Sequence, residues 1–192
     1  MASAIPEALA SPSALTEALS AIPSRAAVEV WLKAWSALDA IQGAGHASTL
    51  EDALFEAVTE PGKVGFRAIW VLALLAQDGV LSSQDAPVRL MALLDDAEDL
   101  SRQRELIRAL LHLPLSESVL FELLEWATQV VFLEGLPPAQ YHMAVRVMEK
   151  AVRSSPAWLP VSELTASLAH LRTVQHPAHL KKKAALLMAR LS

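Results

Sequence analysis

The chain has 192 residues, 53% hydrophobic but only 5% aromatic, with a net charge of −5. That length suits one domain with a substantial core, and a Leu- and Ala-rich, glycine-poor composition points to helices. The absence of cysteine excludes a disulfide scaffold, a thiolate metal site and a cysteine nucleophile, and it suits a reducing cytoplasm.

Prolines, polar clusters and glycines divide the chain into helix-length pieces. In order, the apolar spacing predicts helices over 13–21, 24–42, 48–60, 64–77, 86–96, 101–112, 116–131, 138–153, 161–173 and 177–191. No segment alternates with period two, so no sheet is expected.

The first residues, MASAIPEALASPSAL, lack a basic start and carry Pro6, Glu7 and Pro12, unlike a secretory signal. "SPSALTEAL" and, further on, "STLEDALFEAV" set Ser or Thr ahead of Glu in a capping pattern, placing helix starts at Ser13 and Ser48. Between them Trp31 and Trp35 lie one turn apart on a stretch whose polar stripe is only Glu29, Lys33, Ser36 and Asp39. Core packing is the expectation there, with a partner or self-association surface as the alternative. "QGAGHAS", residues 42–48, has neither G-x-G-x-x-G nor a Lys-Ser/Thr ending and reads as a linker.

"KVGFRAIWVLALLAQDG", residues 63–79, is the most apolar stretch, yet its uninterrupted run, 68–76, is nine residues long. A membrane-crossing helix needs roughly 20. The stretch is expected to be a helix buried by its neighbours.

"LLDDAEDLS" gathers Asp95, Asp96, Glu98 and Asp99 without the alternation or turn glycine of an EF-hand. It reads as an interhelical loop, with Asp99 or Ser101 capping the next helix. Glu122 and Glu125 are followed by no E-x-x-H and are expected to be exposed. Pro138 and Pro177 suit first helical positions. "HLRTVQHPAH" holds His170, His176 and His179 without an H-E-x-x-H, so they are expected to be ordinary surface or helix-end histidines.

The later helices recur in pairs. Arg67, Arg104, His142 and Lys181 each open an apolar stripe, and they are separated by 37, 38 and 39 positions. A two-helix unit of about 40 residues is the period of HEAT-type repeats. The expected fold is therefore all-α, a curved solenoid of antiparallel helix pairs forming one domain over 1–192, with 1–47 as a helical cap and 48–192 as about four pairs. The order "RAIWVLALL … YHMAVRVMEKAV … LKKKAALLMARL" resembles a family of small bacterial HEAT-like α-solenoid proteins of unknown function, some of which carry an adenylosuccinate lyase label. The resemblance implies a fold and no catalytic residues. The Ser- and Gly-rich loop with a Met-Pro-x-Lys core, which marks true lyases of that name, is absent here.

Charge is uneven: −2 over 1–47, −9 over 48–138 and +6 over 139–192. No motif unites a nucleophile, a base and a charge stabiliser. The expected function is non-catalytic protein binding or scaffolding, without cofactor, metal or membrane partner. Arg104, Arg108, His142, Arg146 and Lys150 are the expected groove residues, and Lys181, Lys182 and Lys183 make a basic end that is either a solvated cap or a surface for an anionic partner. A partner with an acidic surface fits, including weak self-association through the acidic body of another copy. A pI near 5.7 argues against nucleic acid. The alternative is a HEAT-like nucleic-acid-binding or base-repair hydrolase.

Overall fold

The computed structural model describes residues 12–24, 26–30, 45–81, 83–97, 99–173 and 176–192, and among these the chain is helical with no strand. The helices are α1 (Pro12–Ala21), α2 (Gly45–Val58), α3 (Lys63–Gln77), α4 (Ala86–Asp95), α5 (Leu100–His112), α6 (Glu117–Phe132), α7 (Pro138–Ser154), α8 (Val161–Thr173) and α9 (Ala178–Leu191). Residues 26–30 are also helical. Trp31 and Trp35 lie outside the described residues.

Local chemistry sets most of the boundaries. The Asp99 carboxylate caps α5 by accepting from the Ser101 and Arg102 amides at 2.6 and 3.0 Å, satisfying donors that the first turn leaves open. Ser116 does the same for α6 through the Val119 amide. Pro138 is the first residue of α7, where its missing N–H costs nothing. Gly79 ends α3 at φ +70°. Its amide bonds the Ala76 carbonyl while that of Val80 bonds Leu75 at 2.9 Å, a Schellman closure that favours glycine at the left-handed position.

Most predicted starts fall within one residue of those observed, and one moves by three. Helix α2 runs back to Gly45, so Ser48 lies within the helix and is not its cap. Nothing in Gly45-His46-Ala47 stops a helix from extending. Helix α9 begins at Ala178, with Pro177 preceding it as the N-cap residue. Among the described residues no helix is long and apolar enough to cross a membrane.

The contacts cluster into two compact units, 1–113 and 114–192. In the first, α2 packs on α3 and α4 on α5, while α3 also packs on α5 and α1. Helix α3 is consequently surrounded, and every residue from Ala68 to Ala76 except Trp70 is buried. Arg67 reaches across to donate to the Leu19 and Ser20 carbonyls at 2.9 and 2.6 Å, closing the C-terminal end of α1. Arg102 donates to the Glu60 carbonyl at 2.9 Å, so the N-terminal ends of α3 and α5 meet. Arg89 of α4 pairs with Asp52 of α2 at 2.6 Å and lies over the Phe55 ring.

In the second unit α6 packs on α7 and α8 on α9, and the pairs stack through α6 on α8 and α7 on α9. Near their N-terminal ends Phe121 of α6 meets Trp158, just ahead of α8. Near their C-terminal ends Phe132 meets His170. Helices α6 and α8 thus run parallel. The same holds for α7 and α9, since His142 faces His179 and Glu149 pairs with Lys183 further along.

Candidate binding surface

The spacing of Arg67, Arg104, His142 and Lys181 has a structural counterpart. Arg67, Arg104 and His142 are each the fifth residue of α3, α5 and α7, and Lys181 is the fourth of α9. Each therefore sits in the first two turns of the second helix of its pair. Their tasks diverge. Arg67 ties down α1, as described, and Arg104 belongs to a small ionic cluster in the first unit.

That cluster is built around Glu105, which is only 3% exposed. Arg108 reaches its carboxylate at 2.7 Å, and Arg104 approaches at 3.4 Å. A buried carboxylate is costly to desolvate unless cations and donors surround it. Arg104 and Arg108, both half-buried, supply that neutralisation, so Glu105 engages these two expected groove residues.

The other predicted residues come together in the second unit. Along α7, His142, Arg146, Glu149 and Lys150 are half-buried and Arg153 is exposed, while Tyr141, Val145, Met148 and Val152 are buried. The polar side of α7 faces that of α9. Lys183 pairs with Glu149 at 2.6 Å, and Arg153 reaches the same carboxylate at 2.7 Å. Burial pushes the Glu149 carboxyl up. The Lys183 hydrogen bond and the charges of Lys183, Arg153 and Arg190 outweigh this and hold it below the usual carboxylate range. Burial, followed by the charges of Lys183, Arg146 and His179, pulls the His142 imidazole down, and burial alone lowers the Lys150 ammonium.

Together α7 and α9 carry Arg146, Lys150, Arg153, Lys181, Lys182, Lys183 and Arg190 against the single carboxylate of Glu149. Helices α6 and α8 hold the opposite balance, with Glu117, Glu122, Glu125 and Glu163 against Arg172. Glu122 and Glu125 are exposed, as expected for helix-surface charges. Within this unit the charge divides between helix layers, because first and second helices occupy different sides of the stack. On α9 the exposed residues His179, Lys182, Leu186 and Arg190 recur at helical spacing. Leu186 is 59% exposed in the middle of that cationic stripe.

The clustered histidines take different ring partners. His170 lies against Phe132 with ring centroids 4.7 Å apart, His176 against Tyr141 at 4.3 Å, and His179 beside His142 at 6.0 Å. Among the described residues no group of three or more His, Cys, Asp or Glu is placed to hold a metal ion. Two concavities open on the unit. One, of about 250 Å³, lies between Phe121 and Trp158 and is flanked by Glu117 and Glu122. The other, of about 350 Å³, lies under the α6–α7 turn and is lined by Tyr141, His170 and His176 among others. Sequence reasoning did not find this second cavity; its one signal was the His-rich stretch, whose partners Phe132 and Tyr141 come from distant positions.

Comparison with protein-family models, with curated proteins and with solved structures returned no match.

Proposed function

We propose that this chain is a non-catalytic helical-repeat protein, a short HEAT-like solenoid, that docks a protein partner presenting an acidic surface. The observation that carries the reading is the α7/α9 layer, where seven cations face a single carboxylate that two of them already neutralise. The repeat spacing and the parallel stacking of the two helix pairs inside the second unit support the architecture. The contact residues are Arg146, Lys181, Lys182 and Arg190, with His142 at one edge and Leu186 as the apolar anchor. Arg104 and Arg108 are left out because Glu105 engages them, and Lys183 acts mainly through Glu149.

Charges at such a surface steer encounter more than they fix the final affinity. The test is stopped-flow association with an acidic amphipathic helical peptide, comparing the parent with Lys182→Glu/Arg190→Glu. Lys183 is spared so that its pair with Glu149 survives. The association rate should fall roughly ten-fold and lose most of its salt dependence, while Leu186→Ala should mainly speed dissociation. Unchanged rates in the charge-reversed variant would refute the reading. Duplex DNA and a second copy of the chain serve as competitors, and tighter binding to DNA would favour a nucleic-acid function instead.

A further inference from the structure

The cavity under the α6–α7 turn has features that the basic layer does not use. Its lining mixes polar groups with apolar ones, among them Leu133, Leu136 and Pro177. Its volume, about 350 Å³, falls within the range of small-ligand sites, roughly 300 to 1,000 Å³. Three contacts hold its walls. The Tyr141 hydroxyl donates to the Leu133 carbonyl at 2.5 Å, pinning the turn to α7. The ring of His176 rests on Tyr141 and that of His170 on Phe132.

Both rings sit tilted against their aromatic partners, at 40° and 55°, and both imidazoles line the cavity. Among the described residues neither ring takes part in a hydrogen bond or ion pair. The charged groups around the site are His170 from α8, Lys181 from α9 and Glu134 at the exposed turn. Glu134 is the one carboxylate among these groups, and Lys181 lies on the basic side of the site. Burial first, and then His170 and Lys181, lower the His176 imidazole. An anion bound between the two histidines relieves that repulsion, and an apolar body covers the apolar part of the lining.

We propose that this cavity is a binding site for a small monocarboxylate with a compact apolar body, its carboxylate held by His170 and His176. The site is separate from the α7/α9 docking surface. Protonation of His176 strengthens the hold, so binding tightens as pH falls below the ordinary histidine value of 6.5 and through the lowered one. Glu134 opposes the ligand weakly from its exposed position.

The experiment titrates the full chain with benzoate, and with benzamide as a neutral isostere, by calorimetry and histidine-resolved NMR. Benzoate should bind saturably, tighten as pH falls below the ordinary histidine value, and shift the His170 and His176 signals. Benzamide should bind at least roughly ten-fold more weakly. His176→Phe, which keeps a ring on Tyr141 but removes the nitrogens, should cost benzoate about ten-fold in affinity with the helical spectrum unchanged. Lys182→Glu should leave benzoate binding intact, and His176→Phe should leave acidic-peptide binding intact, so the two readings fail separately. The proposal is overturned by absence of saturable benzoate binding up to roughly 10 mM, by equal affinity for benzamide, or by parental affinity in His170→Ala/His176→Phe.

Discussion

At the scale of single residues, backbone geometry makes the sharpest demands. A Cβ added at Gly65 would land on the Glu60 carbonyl and the Arg102 guanidinium, and within 2.6 Å of the Val58 carbonyl oxygen. Glycine here is a matter of space, because the start of α3 is pressed against the end of α2 and the start of α5. At Gly79 there is open space and only the positive φ matters. Gly65→Ala should therefore cost more than about 2 kcal/mol, and Gly79→Ala about 1 kcal/mol. Urea denaturation of both variants checks that order. Asp99 adds a pH-dependent contribution. The Arg102 and Ser101 amides hold its carboxyl below its ordinary 3.8. Its stabilisation is present above that value and is lost as pH falls through the lowered one. Asp99→Ala should cost about 1 kcal/mol at neutral pH, and the difference from the parent should vanish in acid.

Among the elements, α3 and the α7/α9 seam behave differently because one is covered by apolar neighbours and the other by charges. Leu72 is fully buried at the centre of α3. Leu72→Ala should cost about 2–5 kcal/mol, through lost transfer energy and the cavity left behind; chemical denaturation measures it. The seam responds to protons instead. His142 faces Arg146 and Glu149 from its own helix and Lys183 and His179 from α9, and its lowered pKa means that the unfolded chain binds the proton more readily. Stability from His142 is present above the ordinary 6.5 and is lost as pH falls through the lowered value. His176, lowered in the same direction, adds to this. The urea midpoint should thus drop between about pH 7.5 and about pH 5.5, and His142→Gln/His176→Gln should flatten that dependence. An equally steep profile in the double variant would place the effect elsewhere.

For the whole molecule, the division into 1–113 and 114–192 separates two kinds of surface. The first unit holds eight basic and fifteen acidic residues, and the second holds eight and six. Each unit has its own buried apolar set. In the second this runs from Val119 and Leu123 through Val145 and Met148 to Leu168 and Leu187. The segment 114–192 expressed alone should accordingly give a helical circular dichroism spectrum and a cooperative thermal transition. At 79 residues its core is small but within the range that supports independent folding. A disordered spectrum would mean that this unit depends on the rest of the chain.

By itself the sequence determined the helical class, most helix boundaries among the described residues to within a residue or two, and the burial of α3, because these rest on local chemistry: proline and glycine positions, caps, and apolar spacing at the helical period. It also placed His142, Arg146 and Lys150 on one side of α7, since a helix face follows from spacing alone. What spacing cannot reveal is which side chain a given charge meets. Arg104 and Arg108 look like free cations in the sequence, and only packing buries Glu105 between them. Lys183 looks like its neighbours Lys181 and Lys182, and only the parallel alignment of α7 and α9 brings Glu149 to it. His170, His176 and His179 look like one cluster, and the fold sends them to Phe132, Tyr141 and His142. Tertiary structure decided those partnerships, because desolvation and short-range contact act between residues that the chain itself holds far apart.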